Sequence, residues 1–344
     1  MSFLEEMLEQ PDCVRNLVHE IRRSNGEKAR RIQDMIERVR PNQYIFTGMG
    51  SSLFASQIPC SYLRRKGIRA FALEANELQA LDAAIIDEHT VLIAISQSGN
   101  SLETVRFCER YEERPLIIVT NKTSSNLAEY GDVQLFLHAG DEYSTATKSY
   151  TNTIAALMYL AYVISGQEQA ELDALFAELN HSADVMEGML RDMALAEKLA
   201  DFLTGRSTKT LVGSGASYAT VKHGQLIFLE AARELVADYT VGQFSHGPIE
   251  VIDDKFVSIM FDFNPAVREG LENVMKLTEQ YGGRSLLFTN RRNVESNDQR
   301  LIVPIDCEDE FISPLLEVIP MELLVYVMGN RKGYHPGELH RVHK

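Results

Sequence analysis

The amino-acid sequence predicts an α/β protein made of two copies of one doubly wound, parallel-sheet unit, with helical segments before and between the copies. Three observations carry that prediction. Short apolar, strand-like runs alternate with helix-like runs, the pattern of a parallel sheet with crossover helices. The segment Tyr44-Ile45-Phe46-Thr47-Gly48-Met49-Gly50-Ser51-Ser52 returns as Lys209-Thr210-Leu211-Val212-Gly213-Ser214-Gly215-Ala216-Ser217, displaced by 165 residues. The same displacement of 165 carries the apolar run 91–96 onto 256–261, FVSIMF.

The elements follow in order. Residues 1–40 read as helix, with apolar positions at Val14, Leu17, Val18, Ile21, Ile32, Met35, Ile36 and Val39, and Pro41 stops it. A strand at 44–46, a helix over 51–65, a strand at 70–73 and a strand at 91–95 come next. A helix over 101–111 and a strand at 116–119 complete the first copy. Helices over 149–164 and 167–203 form the connector, after which the second copy begins. The expected domains are an N-terminal helical segment at 1–40, a first α/β domain at 41–165 and a helical connector at 166–203. A second α/β domain at 204–332 and a tail at 333–344 complete the chain.

Composition narrows the function. The 344 residues are 45% hydrophobic and 24% charged, the balance of a globular protein with a sizeable core. The formal charge of −15 leaves no basic stripe for nucleic acid and disfavours anionic membrane surfaces. The longest apolar stretch, 154–164, is about half of the roughly 20 residues a membrane span needs. The acidic start MSFLEEMLEQ lacks a signal-peptide pattern, and Cys13, Cys60, Cys108 and Cys307 are scattered. A cytoplasmic protein with reduced thiols is expected, without disulfides, metal or organic cofactor.

Chemistry concentrates at two turns. Ser96-Gln97-Ser98-Gly99-Asn100-Ser101 joins a buried strand to a helix, and Gly50-Ser51-Ser52 ends the first strand. The carboxyl ends of parallel strands are where ligands bind in open α/β sheets, and a helix N-terminus there offers N–H groups to an anion. Ser51, Ser52, Ser96, Gln97, Ser98 and Ser101 therefore suit a monophosphate, held by neutral donors, with Gly99 letting the backbone approach. Helix capping is the ordinary explanation of one such turn; two in one sheet favour a site. A dinucleotide site at Gly48-Met49-Gly50 competes, with Glu74 as the ribose acid, but it has Leu53 where a third glycine or alanine belongs.

These turns, with Thr147-Lys148-Ser149-Tyr150-Thr151 and Ser245-His246-Gly247-Pro248, resemble the double sugar-isomerase (SIS) family, whose best-known member is the isomerase half of glucosamine-6-phosphate synthase. The resemblance runs from about residue 30 to the C-terminus. It implies two tandem SIS-type, flavodoxin-like sandwiches, the first binding phosphate. It also implies a catalytic glutamate at Glu230, through Gly224-Gln225-Leu226-Ile227-Phe228-Leu229-Glu230, and a catalytic histidine at His246. Gly50, Thr147, Lys148, His223 and Arg341 are further possible substrate contacts. A homodimer or larger assembly with shared sites is implied, with the helix around 149–164 partly at the interface.

The residues support the pair from their own chemistry. Glu230 ends an apolar run, where desolvation suits a base removing a proton alpha to a carbonyl or imine. A solvated residue paired with Arg233 is the plain alternative. His246 precedes Gly247-Pro248, a helix start whose positive end favours a neutral imidazole, although a structural capping role fits as well. His223 lies seven residues before Glu230 on roughly the same face, where a core histidine is equally expected.

Two departures direct the reading. A lysine of the synthase three residues before its glutamate is Ile227 here, and its imine-forming tail lysine falls at or near Arg341, which is always protonated. The element between Glu142 and Lys148 is also one residue shorter. No glutaminase-like segment precedes the repeats, so ammonia from glutamine is not expected. A ketosamine already carries its nitrogen and needs no lysine imine. The leading expectation is a deglycase of a 6-phosphorylated ketosamine working through an enediol or enaminol. The alternatives are an amino-sugar-phosphate isomerase or deaminase, a non-catalytic sugar-phosphate sensor, and a nucleotide-dependent oxidoreductase. The tail 335–344, rich in His and Arg, is a candidate partner for a substrate carboxylate.

Overall fold

A computed structural model describes residues 2–81 and 83–341. The helical start is broken once: α1 spans Phe3–Leu8 and α2 spans Gln10–Val39. Pro11 lies in the first turn of α2, where its missing N–H costs nothing, and this makes a second helix start where the sequence pattern suggested one continuous helix. Arg40 closes α2 in the left-handed region, its N–H donating to Ile36 O.

The first sheet comes from β1 (Gln43–Gly48), β2 (Ala70–Glu74), β3 (Thr90–Ser96), β4 (Leu116–Thr120) and β5 (Val133–Phe136). Between them lie α3 (Gly50–Arg65), α4 (Ala75–Ala80) and α5 (Leu102–Arg110), and α6 (Lys148–Ile164) follows. The connector is α7 (Gln169–Leu190) and α8 (Met193–Leu203), separated where the Asp192 carboxylate accepts Leu195 N at 2.8 Å and caps a new helix. The second sheet comes from β6 (Thr208–Val212), β7 (Ala237–Tyr239), β8 (Phe256–Asp262), β9 (Arg284–Thr289) and β10 (Arg300–Pro304). Its helices are α9 (Ser217–Glu230), α10 (Val241–Ser245), α11 (Arg268–Gln280) and α12 (Pro314–Arg331).

Both sheets are entirely parallel and share one strand order: β2-β1-β3-β4-β5 and β7-β6-β8-β9-β10. The displacement of 165 residues relates α3 to α9 and α6 to α12 to within two residues at each end, so the duplication extends well beyond the glycine turns. Strands β3, β4 and β8 are buried along their whole length, as sheets covered by helices on both faces require. Ile154, Leu157 and Leu160 of α6 are solvent-free, and truncating any one to alanine costs about 2–5 kcal/mol.

The chain divides into two compact units. One holds residues 9–142 and 146–183; the other holds residues up to 8, 143–145 and those from 184 onward. The division falls inside α7, and two short pieces, residues up to 8 and 143–145, are grouped with the second-sheet unit. Within the first-sheet unit, α6 packs on α2 and α3, and only Tyr162 is half-exposed along it. That helix therefore has no face to offer a second chain, contrary to the expectation of an interface there. Among the described residues no helix is long and apolar enough to cross a membrane.

Candidate functional site

Strands β1 and β3 lie side by side at the centre of the first sheet while their connections depart to opposite sides, so the carboxyl ends of these strands form its topological switch point. The two serine turns leave from there. Gly48 pairs with Ile95, and a Cβ on Gly48 would lie 2.6 Å from Ile95 O, so glycine permits the close approach of the two strands. Gly50 has φ +50, and Ser51 and Ser52 occupy the first turn of α3 behind the N-cap Met49. Ser96 ends β3, and Ser101 occupies the N-cap position of α5 without a capping bond from its side chain.

Hydrogen bonds shape the second turn. Ser96 Oγ accepts Gly99 N at 3.2 Å and Ser98 Oγ accepts Asn100 N at 3.2 Å. In accepting, each hydroxyl keeps its proton as a donor. Ser101 Oγ donates to Glu103 Oε2 at 3.1 Å. Gln97 and Ser98 are half-exposed. Gly99 (φ +65) plays a different part from the one expected of it. A Cβ there would fall inside the Ser125 side chain and 2.8 Å from Thr120 Oγ1, so glycine seats the turn on the loop after β4 rather than opening it to a ligand.

The proposed acid–base residues belong to the other unit. Glu230 is the last residue of α9 and is half-buried. The helix end is wedged tightly: a Cβ on Gly329 would stand 2.5 Å from Ala231 O and 2.9 Å from Pro336 Cγ. Arg233 leaves the helix with φ +49 and lays its guanidinium 4.4 Å from the centre of the Tyr334 ring. Glu230 thus stands where α9, α12 and the start of the tail meet.

His246 follows α10 and is exposed. The element after it is a single 3-10 turn, Pro248–Val251, so the expected helix macrodipole is reduced to one turn. The two residues also stand apart. Helix α9 starts beyond the carboxyl end of β6 and runs about 21 Å back to the amino edge of the sheet, where it ends in Glu230. Strand β7 then returns parallel to β6, so His246 lies beyond the carboxyl edge. One chain places its Glu230 and its His246 at opposite edges of one sheet.

Lys148 opens α6, is 1% exposed, and sets Nζ 2.5 Å from Glu9 Oε2. Thr147 is buried, its N and Oγ1 donating to Glu142 Oε1 at 2.9 and 3.2 Å. His223 is solvent-free in α9, and Arg341 is exposed at the end of the described tail; the rest of the candidate tail, 342–344, lies outside the described residues. A cavity of about 780 Å³ lies within the second-sheet unit, between α1, Tyr143–Ser144, the end of α12 and the tail from His335 to His340. Buried Glu6 of α1 anchors one wall by accepting Tyr143 N at 2.7 Å and the Ser144 hydroxyl.

Glu6, Glu9 and Glu317 were not legible as site-building residues. Glu317 is solvent-free in α12 and accepts the hydroxyls of Ser217 and Ser313, each at 2.7 Å. Burial pushes its carboxyl up to about 7, against those hydrogen bonds. The signal that could have revealed it is a charge inside the apolar run LLEVIPMELL. Burial also raises the thiols of Cys13, to about 11, and Cys108, to about 12, which removes them as nucleophiles. Among the described residues no group of three His, Cys, Asp or Glu is placed to hold a metal ion.

A family model described as the SIS domain matches residues 39–163, the stretch that contains the whole first sheet and both serine turns. Residues 39–163 thus match the SIS domain. The second sheet repeats its strand order, so the fold is that of tandem SIS domains. The chain is 25% identical over 341 residues to the isomerizing glutamine–fructose-6-phosphate aminotransferase of Thermococcus kodakarensis, covering 97% of this chain and 56% of the relative. It is 29% identical over 303 residues to that of Pyrobaculum aerophilum, covering 86% of this chain and 49% of the relative. The chain spans about half the length of the curated relatives it matches. Among solved structures, the C-terminal domain of glucosamine-fructose-6-phosphate aminotransferase from Francisella tularensis superposes with a TM-score of 0.87 at 20% identity, over 98% of each chain. Glucosamine-6-phosphate deaminase from Thermotoga maritima gives 0.76 at 18% identity, over 100% of this chain and 98% of that one. At such identities the likeness shows the fold.

Proposed function

We propose that this SIS protein is a phosphosugar-processing enzyme and, more specifically, a deglycase of 6-phosphorylated ketosamines. The observation that carries the reading is the pair of serine turns at the switch point of the SIS domain, with hydroxyl and N–H donors at two helix starts and Ser96 and Ser98 keeping their protons to donate. In this reading the turns hold the 6-phosphate. Glu230 removes a proton from C1 of the open-chain ketosamine to give an enaminol. A proton exchanged with water returns to C2 and leaves an imine at C1. Water adds at C1, the C1–N bond breaks, and the amine departs with a proton, leaving a hexose 6-phosphate. His246 serves ring opening and leaving-group protonation.

Because Glu230 and His246 of one chain stand at opposite edges of the second sheet, a His246 serving Glu230's substrate belongs to another copy of the chain. That supports a homo-oligomer with shared sites. The half-buried position of Glu230 suits a base, and Ile227 and Arg341 stand where a lysine-imine mechanism wants lysines. Ketose–aldose isomerisation or deamination of an amino-sugar phosphate would use the same proton transfer, and the resemblance to the deaminase and synthase folds keeps that as the second reading.

The test is a screen of phosphorylated ketosamines and amino sugars in deuterium oxide. The deglycase reading expects a released amine and one deuterium at C2 of the hexose 6-phosphate. An aldose–ketose interconversion without amine release moves the assignment to an isomerase. Binding of phosphosugars without turnover of any makes the protein a sensor.

A further inference from the structure

The second sheet has its own switch point, between β6 and β8, and the duplication makes it the counterpart of the phosphate turns. Its chemistry differs at each matching position. Ser96 ends β3 in register with Thr120; Asp262 ends β8 in register with Thr289. Each threonine tethers the turn beside it, Thr120 Oγ1 donating to Gln97 O at 3.5 Å, one residue past Ser96, and Thr289 Oγ1 to Asp262 O itself at 3.2 Å. By sheet register, one residue beyond the displacement of 165, the strand that ends in a serine in the first sheet ends in a carboxylate in the second. Asp262 is 1% exposed and is gripped from two sides, by Arg268 Nε at 3.1 Å on Oδ1 and by Arg291 Nη1 at 3.3 Å on Oδ2. Arg291 also reaches Glu272 Oε1 at 2.9 Å.

The glycine turn opposite is closed as well. Ser217, displaced by 165 residues from Ser52, donates its hydroxyl to Glu317, and Ser214 Oγ accepts Val241 N at 3.1 Å. Two arginines and two serines are thus engaged by groups of the same chain, Ser214 by a backbone N–H and the others by carboxylates. Two guanidiniums converging on one buried carboxylate at a switch point reproduce the charge pattern of an occupied anion site.

We infer that Asp262 is an internal ligand that fills the anion site of the second sheet, so that each chain binds one phosphosugar, on the first sheet. The inference rests on the reading of the serine turns as the phosphate site. It makes Asp262 a specificity residue: it keeps phosphate and phosphosugar away from the half that carries Glu230. Removing its charge leaves Arg268 and Arg291 facing the vacated position, where an oxyanion replaces the carboxylate.

The experiment titrates the full chain with inorganic phosphate by calorimetry and by thermal melting. The wild type is expected to take one phosphate per chain, and the Ser96→Ala, Ser98→Ala double variant none. Asp262→Asn, and Asp262→Ser as the residue of the first sheet, are expected to add one phosphate per chain. That added site survives the two serine substitutions, disappears with Arg291→Gln, and raises the melting temperature by several degrees at about 100 times its Kd. If the wild type takes two phosphates, one of them lost with Arg268→Gln and Arg291→Gln, the second site is open and the inference falls while the serine-turn reading stands. One wild-type phosphate that ignores the serine substitutions sinks the serine-turn reading instead. A folded Asp262→Asn chain with no added site makes the cluster a clamp on α11 and overturns the inference. Failure of both Asp262 variants to fold even in saturating phosphate overturns it equally, since the oxyanion then does not replace the carboxylate.

Discussion

Gly99 shows how much of the phosphate turn depends on one missing methyl. Its φ of +65 is strained for any L side chain, and a Cβ would intrude on Ser125. Gly99→Ala is expected to cost about 1–3 kcal/mol in chemical denaturation and to weaken sugar-phosphate binding. Adding Ser125→Gly removes the intrusion but not the backbone strain, so the double variant should recover stability only in part. Full recovery would mean that packing alone sets the cost. At Glu230, Gln keeps shape and hydrogen bonding but not basicity, so turnover should fall about 10²–10⁴-fold with substrate still bound. Undiminished turnover transfers the role of base to another residue. The serines and Glu230 were legible because they sit at fixed offsets from glycine turns. The ion pair of Lys148 with Glu9 was not, because 139 residues separate the partners and neither carries a local pattern.

Among the elements, α9 and α12 are joined by a buried acid. Glu317 has an ordinary value of 4.5 and is raised to about 7 by burial, so the folded chain binds a proton that the unfolded chain releases between those limits. Its contribution to stability is full below about 4.5 and is lost as the pH rises to 7, a change on the order of 3 kcal/mol. Glu317→Gln keeps partners for Ser217 and Ser313 and should flatten that slope, read as the midpoint of urea unfolding against pH. An unchanged slope assigns it to other groups. Sequence pattern located the central strands, whose unbroken apolar runs are unmistakable, and the helices of the first half and connector by their period, but not α4, α10, α11 or α12. It missed β5, β7, β9 and β10: these strands are short, or flanked by segments of mixed polarity, and they are fixed by pairing with a neighbour already in place. The break between α1 and α2 was missed because the apolar period continues across Pro11.

For the whole molecule, the duplication was readable because one displacement aligned two glycine turns and two strands. The division into units was not, since contacts rather than order along the chain decide it. The shared-site proposal is tested by mixing two inactive proteins, Glu230→Gln and His246→Ala, under conditions that exchange subunits. If histidine and glutamate come from different chains, a mixed dimer has one intact site of its two, so an equal, fully exchanged mixture is expected to regain about a quarter of wild-type activity. Activity that stays at the level of the separate variants means each chain is self-sufficient.

The cavity wall built from α1 bears on how the protein is made. Phe3 is almost fully buried, and its Cβ lies 2.9 Å from the position a Cβ on Gly337 would take, so the tail presses on the first helix across about 330 residues of chain. At the roughly 5–20 residues per second of synthesis, α1 leaves the ribosome tens of seconds before its partners exist. The first-sheet unit can complete its parallel sheet in that interval, while Phe3 and Met7 remain uncovered. A nascent chain stalled before residue 314 should therefore carry a finished first sheet and an apolar N-terminal segment open to chaperones, and release of α12 and the tail is the event that withdraws it.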